Sequence, residues 1–183
     1  YKHADQLVVN SPGFIPHITS RGGCNVLLVP NGVDPDMFDP ENDGTGFRED
    51  HDLIGKFVVL YAGAHGVSND LEIVLSAARL TRSEPEIVYV LVGDGKEKHN
   101  LMDLTEQWGL TNVRFIPPVA KEEMDLVLAA ADACIAILKP VDLYKTTYPN
   151  KVFDYMAAAR PVLCAIDGVI REVIESAHAG LFV

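Results

Sequence analysis

Short, continuous apolar runs are the feature that most restricts how this chain can fold. Two of them, Phe57–Ala62 and Ile87–Val92, show no alternation of polar and apolar residues. Strands buried on both faces have this pattern, because helices cover both sides of a parallel sheet. The other runs are Leu7–Val9, Val26–Val29, Val113–Ile116, Ala133–Leu138, Val162–Ala165 and Leu181–Val183. Together they predict a parallel sheet.

Segments with a helical period lie between these runs. In the first of them, apolar residues recur from Leu71 at i, i+3, i+4 and i+7, the spacing of one buried helix face. The others begin at Leu101 and Ile170 or span Lys121–Ala131 and Pro149–Ala159. Asn69, followed three residues later by Glu72, predicts a capping box. From residue 57 onward strand and helix alternate, which predicts an α/β fold: a doubly wound parallel sheet in three α/β/α layers.

The stretch between residues 30 and 56 breaks this alternation. It contains turn-forming residues at Pro30, Gly32, Pro35, Pro40, Gly44 and Gly46. We therefore predict three parts: residues 1–30 end a preceding domain as strand–helix–strand, residues 31–56 are linker and loop, and residues 57–183 form a Rossmann-like domain. Because the chain has no initiator methionine and stops at a strand-like run, we expect a fragment that is truncated at its C-terminus.

Composition argues against several classes of function. With 15 basic and 26 acidic residues the chain has a net charge of −11. Nucleic-acid partners and polybasic membrane anchors both need clustered positive charge, so neither is expected, whereas a cytoplasmic location is. The longest apolar stretch, Leu126–Leu138, is shorter than the roughly 20 residues of a membrane-spanning helix. Widely spaced cysteines and an isolated Asp34-Pro35-Asp36 lack metal-ligand spacing, so we predict no metal site.

Ligands of a doubly wound sheet bind beyond the carboxyl ends of its strands, so the loops there form the candidate site. Glycines in these loops let the backbone approach a ligand, and the helix that follows attracts phosphate at its N-terminus. The candidate binding residues of the first two loops are Gly63, Ala64, Gly66 and Gly93. His65 is a candidate functional residue in the same loop, although a packing role and ordinary tight turns remain alternatives.

The segment around Lys151 is the richest in chemistry. A helix that starts near Pro149 offers free N–H groups at Asn150–Val152, and Lys151 adds a full positive charge to the positive end of the helix dipole. Asp154 lies three residues on, hence on the same face. A phosphate at the helix end and a diol at the carboxylate would then be neighbours. The alternative is an exposed Lys151–Asp154 ion pair, which contributes little.

Several motifs together resemble a known family. They are Val29–Asp34 (VPNGVD), Leu91–Gly95 (LVGDG), Val113–Pro117 (VRFIP), Asp132-Ala133 and Lys151–Val162 (KVFDYMAAARPV). In this order and spacing they resemble the C-terminal domain of the retaining, group 1 (family 4) glycosyltransferases of GT-B fold. The loop Gly63–Gly66 and the Pro149–Lys151 turn are similar to those of amino-sugar transferases in surface-polysaccharide pathways.

The resemblance implies that the chain is one half of a GT-B fold, the half that binds a nucleotide-diphosphate sugar, with a UDP-sugar favoured. Residues 1–30 would end the acceptor domain. The implied activity is hexosyl or N-acetylhexosaminyl transfer to a glycan or lipid-linked acceptor held by the missing N-terminal domain, and the fragment alone would be inactive. No metal or other cofactor is implied. Family members often associate with the inner face of the membrane through their other domain.

The resemblance also carries over individual residues. Asp154 falls where the family has a glutamate that contacts the ribose, and the backbone of Asn150 and Lys151 would meet the diphosphate. Ile116 and Pro118 would border the base. Thr146 replaces the glutamate that contacts the donor sugar, so the sugar contacts depart from the family pattern.

The largest departure concerns positive charge. Ala64 and Asn69 stand where the family has Arg and Lys, yet the leaving nucleoside diphosphate needs electrostatic stabilisation. Lys151 is the first candidate substitute and catalytic residue, and a protonated His65 is the second. Two other functions remain open: a GT-B nucleotide-sugar 2-epimerase, and a non-catalytic nucleotide-sugar-binding subunit that needs a catalytic partner.

Overall fold

The computed structural model describes Tyr1 and residues 3–183; Lys2, within the predicted first part, lies outside the described residues. The strands are β1 (Leu7–Val9), β2 (Val26–Leu28), β3 (Phe57–Ala62), β4 (Ile87–Val92), β5 (Val113–Ile116), β6 (Ala133–Ile137), β7 (Val162–Ala165) and β8 (Gly180–Phe182). The α-helices are α1 (Phe14–Thr19), α2 (Thr45–Asp50), α3 (Leu71–Leu80), α4 (Lys98–Gln107), α5 (Met124–Ala129), α6 (Asn150–Ala157) and α7 (Val169–Ser176). Single 3₁₀ turns span Pro35–Met37, Val67–Asn69, Lys121–Glu123 and Tyr144–Thr146.

The strands form two sheets. A six-stranded sheet has the order β5-β4-β3-β6-β7-β8, and all neighbouring strands in it run parallel. The chain winds outward from β3 to β5, then returns to place β6 on the other side of β3. This reversal is the topological switch point of a doubly wound fold, so the predicted fold class is confirmed. The short strands β1 and β2 pair parallel in a separate sheet, with α1 between them in sequence.

Successive side chains of one strand point to opposite faces of the sheet and pack in different hydrophobic layers. Val58 and Leu60 of β3 pack in the layer that also contains residues of α5, α6 and α7. Val59 and Tyr61 point to the opposite layer, where α3 and α4 lie. Both faces of the central strands are therefore buried, which is the arrangement that their unbroken apolar runs predicted.

Two local predictions differ from the structure. The capping box at Asn69 and Glu72 is wrong, because Asn69 ends a 3₁₀ turn and its N–H bonds to the Gly66 carbonyl. The helix α3 starts after Asp70, whose side chain makes no capping hydrogen bond. The predicted linker and loop of residues 31–56 contains the short helix α2. The division into three parts stays a prediction.

The helix α2 is attached to the sheet through a shared carboxylate. Asp132, just before β6, accepts a hydrogen bond from Arg48 Nη2 at 2.8 Å and from the Val58 N–H at 2.7 Å. The two side chains are 17% exposed for Arg48 and 34% exposed for Asp132. One side chain therefore links the 31–56 segment to the first strand of the main sheet.

We predict that Asp132→Ala lowers the free energy of unfolding by about 1–3 kcal/mol, because it leaves two partly buried donors without an acceptor. Urea unfolding of the variant and of Asp103→Ala, which removes an exposed carboxylate on α4, measures the difference. Equal stability of the two variants would contradict the structural role of Asp132.

None of the helices formed by the described residues has the length and apolarity that a membrane crossing requires.

Candidate functional site

The loops after β3 and β4 touch at the switch point. Gly63 N–H bonds to the Val92 carbonyl at 2.9 Å, and His65 N–H bonds to the Asp94 carbonyl at 2.7 Å. Gly93 is buried with a φ of +141°, and a Cβ there would collide with the carbonyl oxygen of Gly63. The two glycine loops are thus in direct backbone contact, and their role in binding stays a prediction.

Lys151 extends from the first turn of α6 to this surface. Its Nζ lies 3.8 Å from the centroid of the Tyr61 ring and 2.8 Å from the point that a Cβ on Gly63 would occupy. The Tyr61 hydroxyl donates to the Ala64 carbonyl at 2.8 Å, so the same tyrosine supports the loop and the lysine. Within the described part of the chain Lys151 has no ion-pair partner. Burial lowers the pKa of Lys151 to about 7.

The N-terminus of α6 offers donors beside that amine. Pro149 is the N-cap residue, and its carbonyl accepts the Val152 N–H at 3.2 Å. The N–H groups of Asn150 and Lys151 have no backbone acceptor among the residues that the structure describes. Two of the three predicted N–H groups therefore remain for an anion, next to a cationic side chain and to the helix dipole.

His65 lies at the same place but in a different state from the one predicted. Its side chain is fully buried, with the Tyr61 and Phe115 rings each 6.1 Å from its own ring. Burial, followed by the charge of Lys98, lowers its pKa to about 4. The imidazole is therefore neutral at pH 7, so its surroundings do not support the predicted role as a substitute cation. Neither ring nitrogen has a hydrogen-bond partner among the described residues.

Asp154 is partly buried on α6, and its carboxylate interacts with Lys121 rather than with Lys151. Burial raises its pKa above the usual range, and the charge of Lys121 opposes that rise. The alternative of an exposed Lys151–Asp154 ion pair is not observed between these two described residues. The binding role of Asp154 stays a prediction.

The remaining predicted residues differ in accessibility. The Ile116 side chain is 5% exposed and its carbonyl accepts the Gly93 N–H at 3.0 Å, so the side chain cannot border a base as predicted. Pro118, Ala64 and Asn150 are exposed, and Gly66 is partly buried. The Thr146 hydroxyl donates to the Leu143 carbonyl at 2.6 Å, which commits the only side-chain group at that position to its own turn.

Sequence reasoning missed the residues that join the loops. Tyr144 donates its hydroxyl to Ser68 Oγ at 2.7 Å, and Lys98 Nζ donates to the Gly93 carbonyl at 2.8 Å. The sequence pattern places Tyr61 only within the apolar strand Phe57–Ala62 and does not indicate its contact with Lys151. An aromatic with a hydroxyl at the carboxyl end of a strand was the one available signal. No three His, Cys, Asp or Glu side chains of the described residues lie close enough together to hold a metal ion.

Comparisons with known proteins show the family of the chain. The family model described as "Glycosyl transferases group 1" matches residues 56–183. WcaI of Escherichia coli (strain K12), named for colanic acid biosynthesis, is 29% identical over 136 residues, which are 73% of this chain and 33% of that protein. The D-inositol 3-phosphate glycosyltransferase of Corynebacterium jeikeium is 26% identical over 99% of this chain and 46% of its own length. The chain thus spans less than half the length of these relatives.

Solved structures share the fold. Sucrose-phosphate synthase from Thermosynechococcus elongatus matches with a TM-score of 0.82 at 21% identity, over 100% of this chain and 46% of that one. HepE from Anabaena, described in complex with UDP-glucose, matches with a TM-score of 0.78 at 20% identity, over 93% of this chain and 47% of that one. Because the family model covers most of the sequence and the fold agrees, this chain belongs to the group 1 glycosyltransferase family.

Proposed function

We propose that this chain is the donor-binding half of a retaining glycosyltransferase and binds a nucleotide-diphosphate sugar, a UDP-sugar in preference to others. The observation that carries the proposal is the position of Lys151: an amine without an acidic partner among the described residues, at a helix N-terminus, beside two glycine loops at the switch point. Anion-binding sites of doubly wound folds have this composition. HepE, described with UDP-glucose, supports the class of ligand.

The chemistry follows from where charge develops. When the bond between the anomeric carbon and the leaving oxygen breaks, its electron pair stays on the diphosphate. Lys151 and the N–H groups of Asn150 and Lys151 would stabilise that charge, and Asp154 would accept hydrogen bonds from the ribose diol. The glycine loops would let the diphosphate approach the backbone. His65 would serve as a neutral packing group beneath the glycine loops.

The rest of the reaction lies outside this chain. We propose that the whole protein transfers a hexosyl or N-acetylhexosaminyl group to a glycan or lipid-linked acceptor, in the cytoplasm and at the inner face of the membrane when the acceptor is a lipid. Catalysis needs both sides of the cleft to orient donor and acceptor. The isolated chain would therefore bind donor without transferring sugar, and transfer by the whole protein would exclude a non-catalytic subunit.

Calorimetric titration of the chain with UDP, GDP and ADP tests the proposal and the base preference.

A second titration compares UDP with its 2′,3′-dideoxy analogue. Asp154→Ala should weaken UDP binding about tenfold and leave the analogue unaffected, because only UDP has the diol that the carboxylate would bind. Glu172→Ala, an exposed carboxylate in the first turn of α7, is the control. If Asp154→Ala lost the same affinity for UDP and for the analogue, or if the unaltered chain bound no nucleotide, the proposal would be contradicted.

We also predict that binding of a UDP-sugar weakens as the pH rises above 7. In the free chain the pKa of Lys151 is about 7, and a bound diphosphate raises it because the anion favours the ammonium form. At pH 6 the amine is already protonated, whereas at pH 8 binding must take up a proton. Affinity should fall by up to about tenfold per pH unit above 7. Titration at pH 8 in buffers of different ionisation enthalpy should show uptake of nearly one proton, and Lys151→Met should show none.

A further inference from the structure

The loop that leads from β6 into α6 is held by residues from the start of the chain. Ser11, whose side chain is fully buried, donates its hydroxyl to the carbonyl of Thr146. Asn31 donates its side-chain amide to the carbonyl of Tyr148 at 2.7 Å. These partners are 135 and 117 residues apart in sequence, so the contacts belong to tertiary structure alone.

The backbones of Gly13 and Thr146 are in close contact. A Cβ added to Gly13 would lie 2.5 Å from the Thr146 Cα, so the backbone after β1 packs directly against the backbone of the loop. Asn10 and Asn31 are themselves joined, because the Asn31 N–H bonds to the Asn10 carbonyl at 3.3 Å. The segment of residues 10–31 therefore acts as one support for the backbone of residues 146–148.

This support lies next to the groups of the proposed donor site. Tyr148 directly precedes Pro149, the N-cap residue of α6, and Lys151 follows in the first turn. Thr146 stands where the family resemblance implies a sugar-contacting carboxylate, but its hydroxyl is bound within its own turn. Because the Thr146 hydroxyl already donates within its own turn, the path of the loop backbone would decide which other donors face the sugar.

We infer that Ser11 and Asn31 are positioning residues of the donor site, which hold the backbone of residues 146–148 and so set the preference for a nucleotide sugar over the bare nucleoside diphosphate. The inference rests on the proposed function. It assigns part of donor selection to the segment of residues 10–31 rather than to the Rossmann-like domain alone.

Hydrogen exchange of the whole 183-residue chain tests the support without a ligand. In Ser11→Ala and in Asn31→Ala, the amides of Tyr144, Thr146 and Thr147, which are hydrogen-bonded within the loop, should exchange about fivefold faster, because each variant loses one hydrogen bond to the loop. Amides of α3 should not change. The matched control is Ser20→Ala, which removes an exposed hydroxyl that bonds locally to the His17 carbonyl at 2.9 Å. Unchanged exchange in the loop would overturn the inference.

The ligand arm measures the affinities of UDP and UDP-glucose in the same variants. Ser11→Ala should reduce the ratio of UDP-glucose affinity to UDP affinity by about threefold or more, with UDP affinity changed less than about twofold. A general loss of stability would weaken both ligands alike and would not move the ratio. If UDP binds and the ratio is unchanged, this inference is wrong and the proposed function stands. If neither ligand binds the unaltered chain, both are wrong.

Discussion

Lys151→Met will lower the affinity of this chain for UDP by about a hundredfold, because hydrogen bonds from a charged donor to phosphate each contribute about 1.5–3 kcal/mol. Methionine has a similar length and is apolar, so it can remain on the Tyr61 ring where the lysine lies. The change therefore removes the charge and the donors while it preserves the packing. Calorimetric titration with UDP at pH 7 measures the loss.

The control for this variant is Lys56→Met. Lys56 is also partly buried, but it precedes β3 at the opposite end of the sheet, where its Nζ donates to the Pro85 carbonyl at 2.9 Å. Its replacement removes the same charge from the molecule and should leave UDP affinity nearly unchanged. A similar loss in both variants would show that net charge, rather than the position of Lys151, attracts the ligand.

Gly93→Ala will destabilise the chain by about 3 kcal/mol or more, because a strained backbone and a clash in a buried position both contribute. The φ of +141° at Gly93 disfavours any side chain, and the added Cβ would overlap the Gly63 carbonyl oxygen. Because the overlapping atoms belong to the backbone of Gly63, no movement of a side chain can relieve the clash. The loop after β4 would have to separate from the loop after β3, which would also remove the surface for the diphosphate.

Gly46→Ala is the matched control for that substitution. Gly46 lies in α2, and a Cβ there would meet no atom within 4 Å. Alanine is a better helix former than glycine, so this variant should be as stable as the unaltered chain or slightly more stable. Urea unfolding of both variants measures the difference. If Gly93→Ala were as stable as Gly46→Ala, the close contact between the two glycine loops would not exist in solution.

Burial changes the charge state of both candidate cations in this site. His65 and Lys151 were both candidate cations. The structure places His65 in the interior, where it is neutral, and leaves Lys151 at the edge of the same interior with a pKa of about 7. A protein that binds an anion through such a lysine couples binding to proton uptake, which is a measurable property of the proposed donor site.

The parallel sheet, the positions of its strands and the loops that carry the candidate site could all be predicted from local sequence patterns. A short, unbroken apolar run bounded by turn residues is typical of a strand buried on both faces. Glycine in a strand-to-helix loop can be recognised without knowledge of its spatial neighbours. The order of the motifs from Val29 to Val162 likewise indicated the family. Each of these signals occupies only a few residues and can be recognised without the tertiary structure.

The contacts between distant residues could not be predicted in the same way, because they depend on how the chain folds. The order β5-β4-β3-β6-β7-β8 brings Lys151 of α6 onto Tyr61 of β3, and it separates Asp154 from the lysine that sequence spacing placed beside it. The hydrogen bonds of Ser11 and Asn31 to the loop before α6 join positions more than a hundred residues apart. Charge state, burial and loop support depend on such distant contacts, because the dielectric surroundings and hydrogen-bond partners of a group come from whatever the fold packs against it.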